Sequence, residues 1–237
     1  MSLSEIERKV LEKYYESIYR FYWEHQLKRP KGIHVSDLIY SCLRRAYYYN
    51  LYGTPLRIDP TLTLIQGIKL HEIPMSDFHE VELSWEGIVG TIDEIVDGII
   101  VDKKYVSRIP KSPYEHHATQ VNYYRVLAVE NGIEVKGLVV LYIDVGSGDV
   151  RPYQVNMWEY ETTKWEMLKK RDILRMAYET GIPPPRKVGW LCRYCDFCGR
   201  CFVEGLINVE EVRTVDIRGC ERGEVEPPHP EGSQGED

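Results

Sequence analysis

Two aspartates and a lysine lie in the stretch 89–105, VGTIDEIVDGIIVDKKY, where their spacing could do chemistry. Two β-branched, apolar runs flank Asp97-Gly98, the pair best suited to a two-residue type I′ hairpin turn. A turn of that length pairs Val96 with Ile99, and the same register sets Asp93 across from Asp102 and Thr91 across from Lys104. Side chains alternate along a strand, so Asp93, Asp102 and Lys104 emerge on one face. Opposed carboxylates with Cβ atoms about 4.5–5.5 Å apart repel unless a cation lies between them. A divalent metal with oxygen ligands supplies that charge, and Lys104 then stands beside it. The competing reading is a solvated hairpin face that carries charge.

Sulfur forms a second constellation. Of the six cysteines, Cys192, Cys195, Cys198 and Cys201 fall within ten residues, and the others are Cys42 and Cys220. Three metal arrangements compete. A zinc ribbon wants two C-x2-C knuckles about 15–20 residues apart, and these are adjacent. The bacterial ferredoxin run has x3 before its last cysteine and a proline after it, whereas Phe202 follows here. The third arrangement takes Cys192, Cys195 and Cys201 as C-x2-C-x5-C and adds the distant Cys42 to clamp an iron–sulfur cluster. Cys198 is then spare, or replaces a neighbour.

The elements that must position these groups follow from periodicity. Residues 2–28 read as an amphipathic helix with Ile6, Val10, Tyr14 and Ile18 at helical spacing. A second helix, from Ser36 to about Asn50, carries Cys42, Arg44-Arg45 and the run Tyr47-Tyr48-Tyr49. Arginines interleaved with tyrosines suit a single nucleic-acid strand, by phosphate pairing and base stacking; the alternative places the tyrosines in the core. A helix over 60–71 holds Gly67-x-x-x-His71, and Pro74 ends it. Strands follow at about 78–86 and in the central hairpin. Ser112, Pro113 and Glu115 read as cap, first position and capping box of a helix that stops at Asn131-Gly132 and sets Gln120 and Tyr124 on one face. Strands over 133–145 and 150–157 and a helix over 158–180 complete an α/β sandwich with a mixed central sheet.

The whole chain of 237 residues is 43% hydrophobic, enough for a sizeable core in one domain with appendages. No long apolar run implies a membrane span, and the charged N-terminal stretch lacks a signal-peptide pattern, so a cytoplasmic protein is expected. Net charge is −7, of which −5 sits in the Glu/Pro/Gly-rich, disordered-looking residues 221–237. The remaining body is nearly balanced and leaves room for a local basic groove.

Together these motifs resemble the PD-(D/E)xK nucleases of the RecB-like branch: Gly67-x-x-x-His71, Gly90-Thr91-Ile92-Asp93, Asp102-Lys103-Lys104 and Gln120-x-x-x-Tyr124, in that order. An early cysteine with a late C-x2-C-x5-C is similar to the iron–sulfur members of that branch, and Cys42-x-Arg44-Arg45 followed by aromatics is most like the small CRISPR-associated exonucleases. The resemblance spans roughly residues 34–202; the extra Cys198 and the acidic tail depart from it. It implies a restriction-endonuclease-like core over 60–185, a helical region over 1–59, a cluster loop over 186–206 and a C-terminal extension over 207–237. It implies Mn2+ or Mg2+ on His71, Asp93, Asp102 and the Lys103 carbonyl, with Lys104, Gln120 and Tyr124 serving catalysis. It also implies an iron–sulfur cluster, 4Fe–4S ahead of 2Fe–2S, on Cys42, Cys192, Cys195 and Cys201. Arg44, Arg45 and Tyr124 would contact single-stranded DNA, and a CRISPR integrase complex is the partner the family suggests. The function expected is metal-dependent exonuclease action on single-stranded DNA for spacer acquisition. General DNA repair, a non-catalytic iron–sulfur scaffold and a zinc-stabilised module are the alternatives.

Overall fold

A computed structural model describes residues 4–26, 32–52, 67 and 70–203 of the chain. The acidic tail, Cys220, and most of the helix expected over 60–71 lie outside the described residues.

Two dipeptide turns set up the sheet. Strands β2 (His79–Trp85) and β3 (Ile88–Val96) are joined by Glu86-Gly87, at φ 49° and 77°, and β4 (Ile99–Val106) follows Asp97-Gly98, at φ 51° and 83°. Positive φ at both turn residues is what a type I′ turn requires, and its twist matches that of the strands it joins. Trp85 pairs with Ile88 and Val96 with Ile99. A short β1 (Ile33–His34) adds to β3 in parallel, β5 (Gly137–Asp144) runs parallel to β4 along its whole length, and β6 (Val150–Gln154) closes antiparallel on β5. The sheet is mixed, as the sequence predicts.

Its register contains a split. The β3–β4 ladder ends at Glu94↔Val101, one pair before Asp93 would meet Asp102, so those aspartates are not ladder partners. Ile88 pairs with both Trp85 and Ile33, and Glu94 with both His79 and Val101. A strand residue has one partner on each edge. Strands β1 and β4 therefore share the edge of β3 opposite β2 and part from each other along Gly90–Asp93.

The helices pack around this sheet. Helix α1 (Glu5–Gln26) forms as expected, but its apolar positions Ile6 and Val10 remain exposed rather than turned to the core. The single helix expected from Ser36 divides into α2 (Val35–Leu38) and α3 (Leu43–Tyr52), interrupted over residues 39–42. Cys42 thus sits at the break. Helix α4 (Glu115–Glu130) lies across the sheet and against α2. It starts later than the Ser112 cap predicts, because the Tyr114 N–H donates to the Tyr142 hydroxyl on β5 at 3.1 Å and keeps the chain extended through Tyr114. Helix α5 (Tyr160–Thr180) packs on α3 and α4; Glu159 caps its first turn through the N–H groups of Glu161 and Thr162, and Gly181, at φ 68°, ends it. Ile88, Ile92, Ile100, Leu127, Leu138 and Met167 fill the core between these layers. No described helix is long and apolar enough to cross a membrane.

Candidate metal centre and cysteine site

The split between β1 and β4 leaves part of one edge of β3 without a strand partner. With the ladder ended, the Lys103 N–H has no strand partner and donates instead to Asp93 Oδ2 at 2.6 Å. That bond aims the Asp93 carboxylate into the split. His71 Nδ1 lies 3.5 Å from the same oxygen. Ligand atoms of His71, Glu80 and Asp93 all fall within 4.8 Å of one another. These three residues form a candidate metal site.

Glu80 was not foreseen from the sequence. It stands opposite Asp93 in the β2–β3 register, between the pairs His79↔Glu94 and Val81↔Ile92, and has φ 48°. Positive φ is uncommon for a residue other than glycine, and such backbone collects at functional sites. The signal was available: Glu86-Gly87 is a second two-residue turn dipeptide, and applying the hairpin rule there counts back to Glu80 across from Asp93.

Asp102 is fully buried and paired with Lys104, whose Nζ lies 3.0 Å from Oδ1 and 2.9 Å from Oδ2. The contact with Oδ2 lacks hydrogen-bond alignment, leaving that buried oxygen without a donor. A solvated charged hairpin face is therefore excluded. Burial raises both carboxyls to about 6 against the opposing pull of Lys104. Two buried acids, an imidazole and an oxygen without a donor fit a divalent cation, which offers the charge and the ligand bonds they lack. For Lys104, burial pushes the ammonium pKa down, but Asp102 and then Asp93 outweigh it and hold the group above its ordinary value. A cation bound beside Lys104 would pull that pKa down, whereas its neighbours here are carboxylates.

Lys103 and Glu94 occupy the opposite face and anchor the His71 segment. The Lys103 ammonium, 2% exposed, donates to Glu94 Oε1 at 2.9 Å and to the carbonyls of Ile73 at 3.0 Å and His71 at 3.2 Å. Glu94 in turn accepts from the Met75 and Ser76 N–H groups and the Ser76 hydroxyl. Tyr105 donates to the Leu70 carbonyl at 2.9 Å and sets its ring edge-on to His71.

Gln120 and Tyr124 share a face of α4, as the spacing predicts. Gln120 Nε2 donates to the Tyr124 hydroxyl at 2.8 Å, and both residues are buried. Tyr124, with His34, Ser36, Gly90 and Thr91, lines an opening of about 220 Å³ in the split. Gly90 lets the backbone approach closely there: a Cβ would sit 3.0 Å from the Tyr124 ring and from Val35, and those side chains would have to yield.

Of the two readings of the arginine–tyrosine run, the tyrosines take the one that places them in the core. Tyr47 and Tyr48 are core residues, and Phe197 packs on the rings of Tyr48 and Tyr49. Arg44 is buried, its Nε donating to the Pro184 carbonyl at 2.7 Å. It ties α3 to the chain after α5. Arg45 lies over the rings of Tyr40 and Tyr49.

The cysteines converge. Cys192 and Cys195 lie in or beside the 3₁₀ turn Trp190–Tyr194, and Cys198 and Cys201 lie on α6 (Cys198–Val203). With Cys42 they line one common space. Burial pushes the Cys195 thiol up to about 11, with Cys201 and Cys42 adding to the rise and Arg45 opposing it. Cys198 lines the same space and is not set aside by the fold. The donor set, five thiols around one space, fits a thiolate-bound metal group.

No family model matches the chain, and no curated protein matches it. Among solved structures the chain is similar to SSO0001, at 22% identity over 78% of this chain and 95% of that one, with a TM-score of 0.55. It also aligns with a protein from Eubacterium rectale provisionally named an exonuclease, at 14% identity over 73% of this chain and 76% of that one; the TM-score of 0.41 gives this second likeness no weight. The chain thus shares its α/β fold with SSO0001.

Proposed function

We propose that the chain is a metal-dependent nuclease with a RecB-like PD-(D/E)xK core, acting as an exonuclease on single-stranded DNA. One observation carries this reading: His71, Glu80 and Asp93 bring ligand atoms within 4.8 Å of one another at the sheet split, beside the buried Asp102–Lys104 pair. Asp102 and the Lys103 carbonyl complete the ligand set. Bound there, Mn2+ or Mg2+ supplies a Lewis acid for the phosphoryl oxygen and lowers the pKa of the attacking water. His71, a softer ligand than a carboxylate, favours Mn2+. Lys104 holds the water in line and donates to oxygen as negative charge develops on the phosphate. Gln120 and Tyr124 seat the strand against the split, and Arg45 rather than Arg44 remains as a cation for its backbone.

Our reading gives the cysteine site an iron–sulfur cluster, 4Fe–4S rather than 2Fe–2S, on Cys42, Cys192, Cys195 and Cys201, with Cys198 able to replace a neighbour. Its role is structural, because hydrolysis moves no electrons. Five thiols around one space also suit a zinc ion, and metal analysis separates the two. In the cell the enzyme would trim DNA captured for CRISPR spacer insertion, in the cytoplasm and beside an integrase complex.

The test is degradation of end-labelled single-stranded DNA with Mn2+, Mg2+ or chelator. Metal-dependent loss of the label that disappears in Lys104→Ala is the expected result. Equal cutting by both proteins, or binding with no cutting by metal-loaded wild type, overturns the proposal.

A further inference from the structure

Beside the carboxylates runs a row of planar side chains that the proposed chemistry leaves unused. Tyr40, in the break between α2 and α3, stacks on His116 of α4 with ring centroids 5.4 Å apart and planes at 29°. His116 stacks on Tyr114 at 5.7 Å and 7°. The Arg45 guanidinium lies 5.1 Å over the Tyr40 ring, adding a cation at one end. At the other end Tyr114 keeps 43% of its surface exposed. The row is held in place from behind: the Tyr142 hydroxyl accepts from the Tyr114 N–H and is hydrogen-bonded to His117 Nδ1 at 2.8 Å.

This row adjoins the reactive centre. Lys104 is close enough to His116 to disfavour its protonation. Burial, and then Lys104, push His116 down to about 4, so the middle ring of the stack is neutral at neutral pH and does not repel its cationic neighbour. None of the three rings belongs to the Tyr47–Tyr49 run, which is spent on packing. Arg45 and His116 lie against Tyr40, and Tyr40 and Tyr114 lie against His116, so the face the row offers is that of Tyr114. An open aromatic face beside a phosphate-cutting centre is what a splayed base seeks, because every base has a π-face and gains by stacking in any sequence.

We propose that Tyr114, backed by the stacked rings of His116 and Tyr40, forms a base-stacking platform for single-stranded nucleic acid, holding the nucleotide next to the phosphate that enters the carboxylate site. The inference rests on the nuclease reading and adds to it the groups that grip the substrate. The platform binds bases rather than sugar or phosphate, so it makes affinity depend on bases being present and leaves their identity unread.

The test measures fluorescence anisotropy of a labelled oligothymidylate and of an abasic oligomer of equal length, with Ca2+ replacing Mn2+ to allow binding without cutting. Wild type should bind the base-bearing strand more tightly, by roughly 5- to 150-fold, the worth of one stacked base. In Tyr114→Ala and His116→Leu that ratio should fall toward one, while Tyr114→Phe keeps it. Trp165→Ala, which removes a 61% exposed ring on α5, should leave the ratio unchanged. Thermal melting checks that each variant is folded. Equal binding of both oligomers by wild type, or an undiminished ratio in folded Tyr114→Ala, overturns the platform. Hydrolysis of bis-p-nitrophenyl phosphate, which carries no base, tests the nuclease reading separately: its absence in metal-loaded wild type would count against the chemistry and leave the binding ratio to decide the platform.

Discussion

Lys103→Met isolates the buried pair that carries the His71 segment. Lys103 and Glu94 are 2% and 0% exposed at the side chain, and the ammonium makes three bonds, to Glu94 and to the His71 and Ile73 carbonyls. Methionine keeps the volume and removes all three. Glu94 retains the Met75 and Ser76 donors, which partly compensate a carboxylate that burial alone would raise. Removing one partner of a buried ion pair costs about 3–5 kcal/mol. That is a large share of a typical ~5–15 kcal/mol stability. At about 2–4 °C per kcal/mol for a domain of this size, the melting temperature should fall by roughly 6–20 °C. Urea titration followed by circular dichroism gives the free energy directly. The double variant Lys103→Met/Glu94→Leu should recover much of the loss, since no buried charge is then stranded. A loss below about 1 kcal/mol in the single variant, well under the range for a broken buried pair, or a double variant no better than the single one, would refute this account of how His71 is held.

Other consequences can be checked in parallel. Gly90→Ala should cost about 1–3 kcal/mol by overpacking against Tyr124 and Val35, and should slow cleavage by displacing Tyr124, as read by melting and by turnover of labelled DNA. His117 is held at about 2 by burial, then by Lys104 and His116, whereas an unfolded histidine titrates near 6.5. Below about pH 6.5 the unfolded chain therefore binds a proton that the folded chain refuses, and stability falls with pH. His117→Gln should flatten that acid limb in melting temperature against pH; Asp93 and Asp102 act with opposite sign and cancel in the difference between the two proteins. Cys42→Ala should lose visible iron absorbance in anaerobically purified protein and melt earlier, while retained colour in Cys201→Ala would identify Cys198 as its replacement.

Local rules reached far into this fold where one dipeptide decided the geometry. Asp97-Gly98 set the β3–β4 turn and its first pairs, and the 3.6-residue spacing brought Gln120 to Tyr124. The same rules were silent where distant parts of the chain compete. The β3–β4 ladder ends before Asp93 because β1 arrives on that edge, and only tertiary structure tells where an edge is taken. Glu80 was legible in principle through Glu86-Gly87, yet in a strand that alternates acidic and apolar residues it looks like any solvated carboxylate. The tyrosines after Cys42 were ambiguous for a related reason: an amphipathic aromatic can face water or core, and Phe197, far along the chain, decides for the core.

The most direct test of the central claim is calorimetric titration of Mn2+ into wild type and Asp93→Asn, after chelation of bound metal and with circular dichroism to confirm the fold. The account predicts a Mn2+ site in wild type that is lost or greatly weakened in the variant, with Glu80→Gln weakened as well. Unchanged Mn2+ binding in folded Asp93→Asn would contradict it and place any metal chemistry elsewhere in the chain.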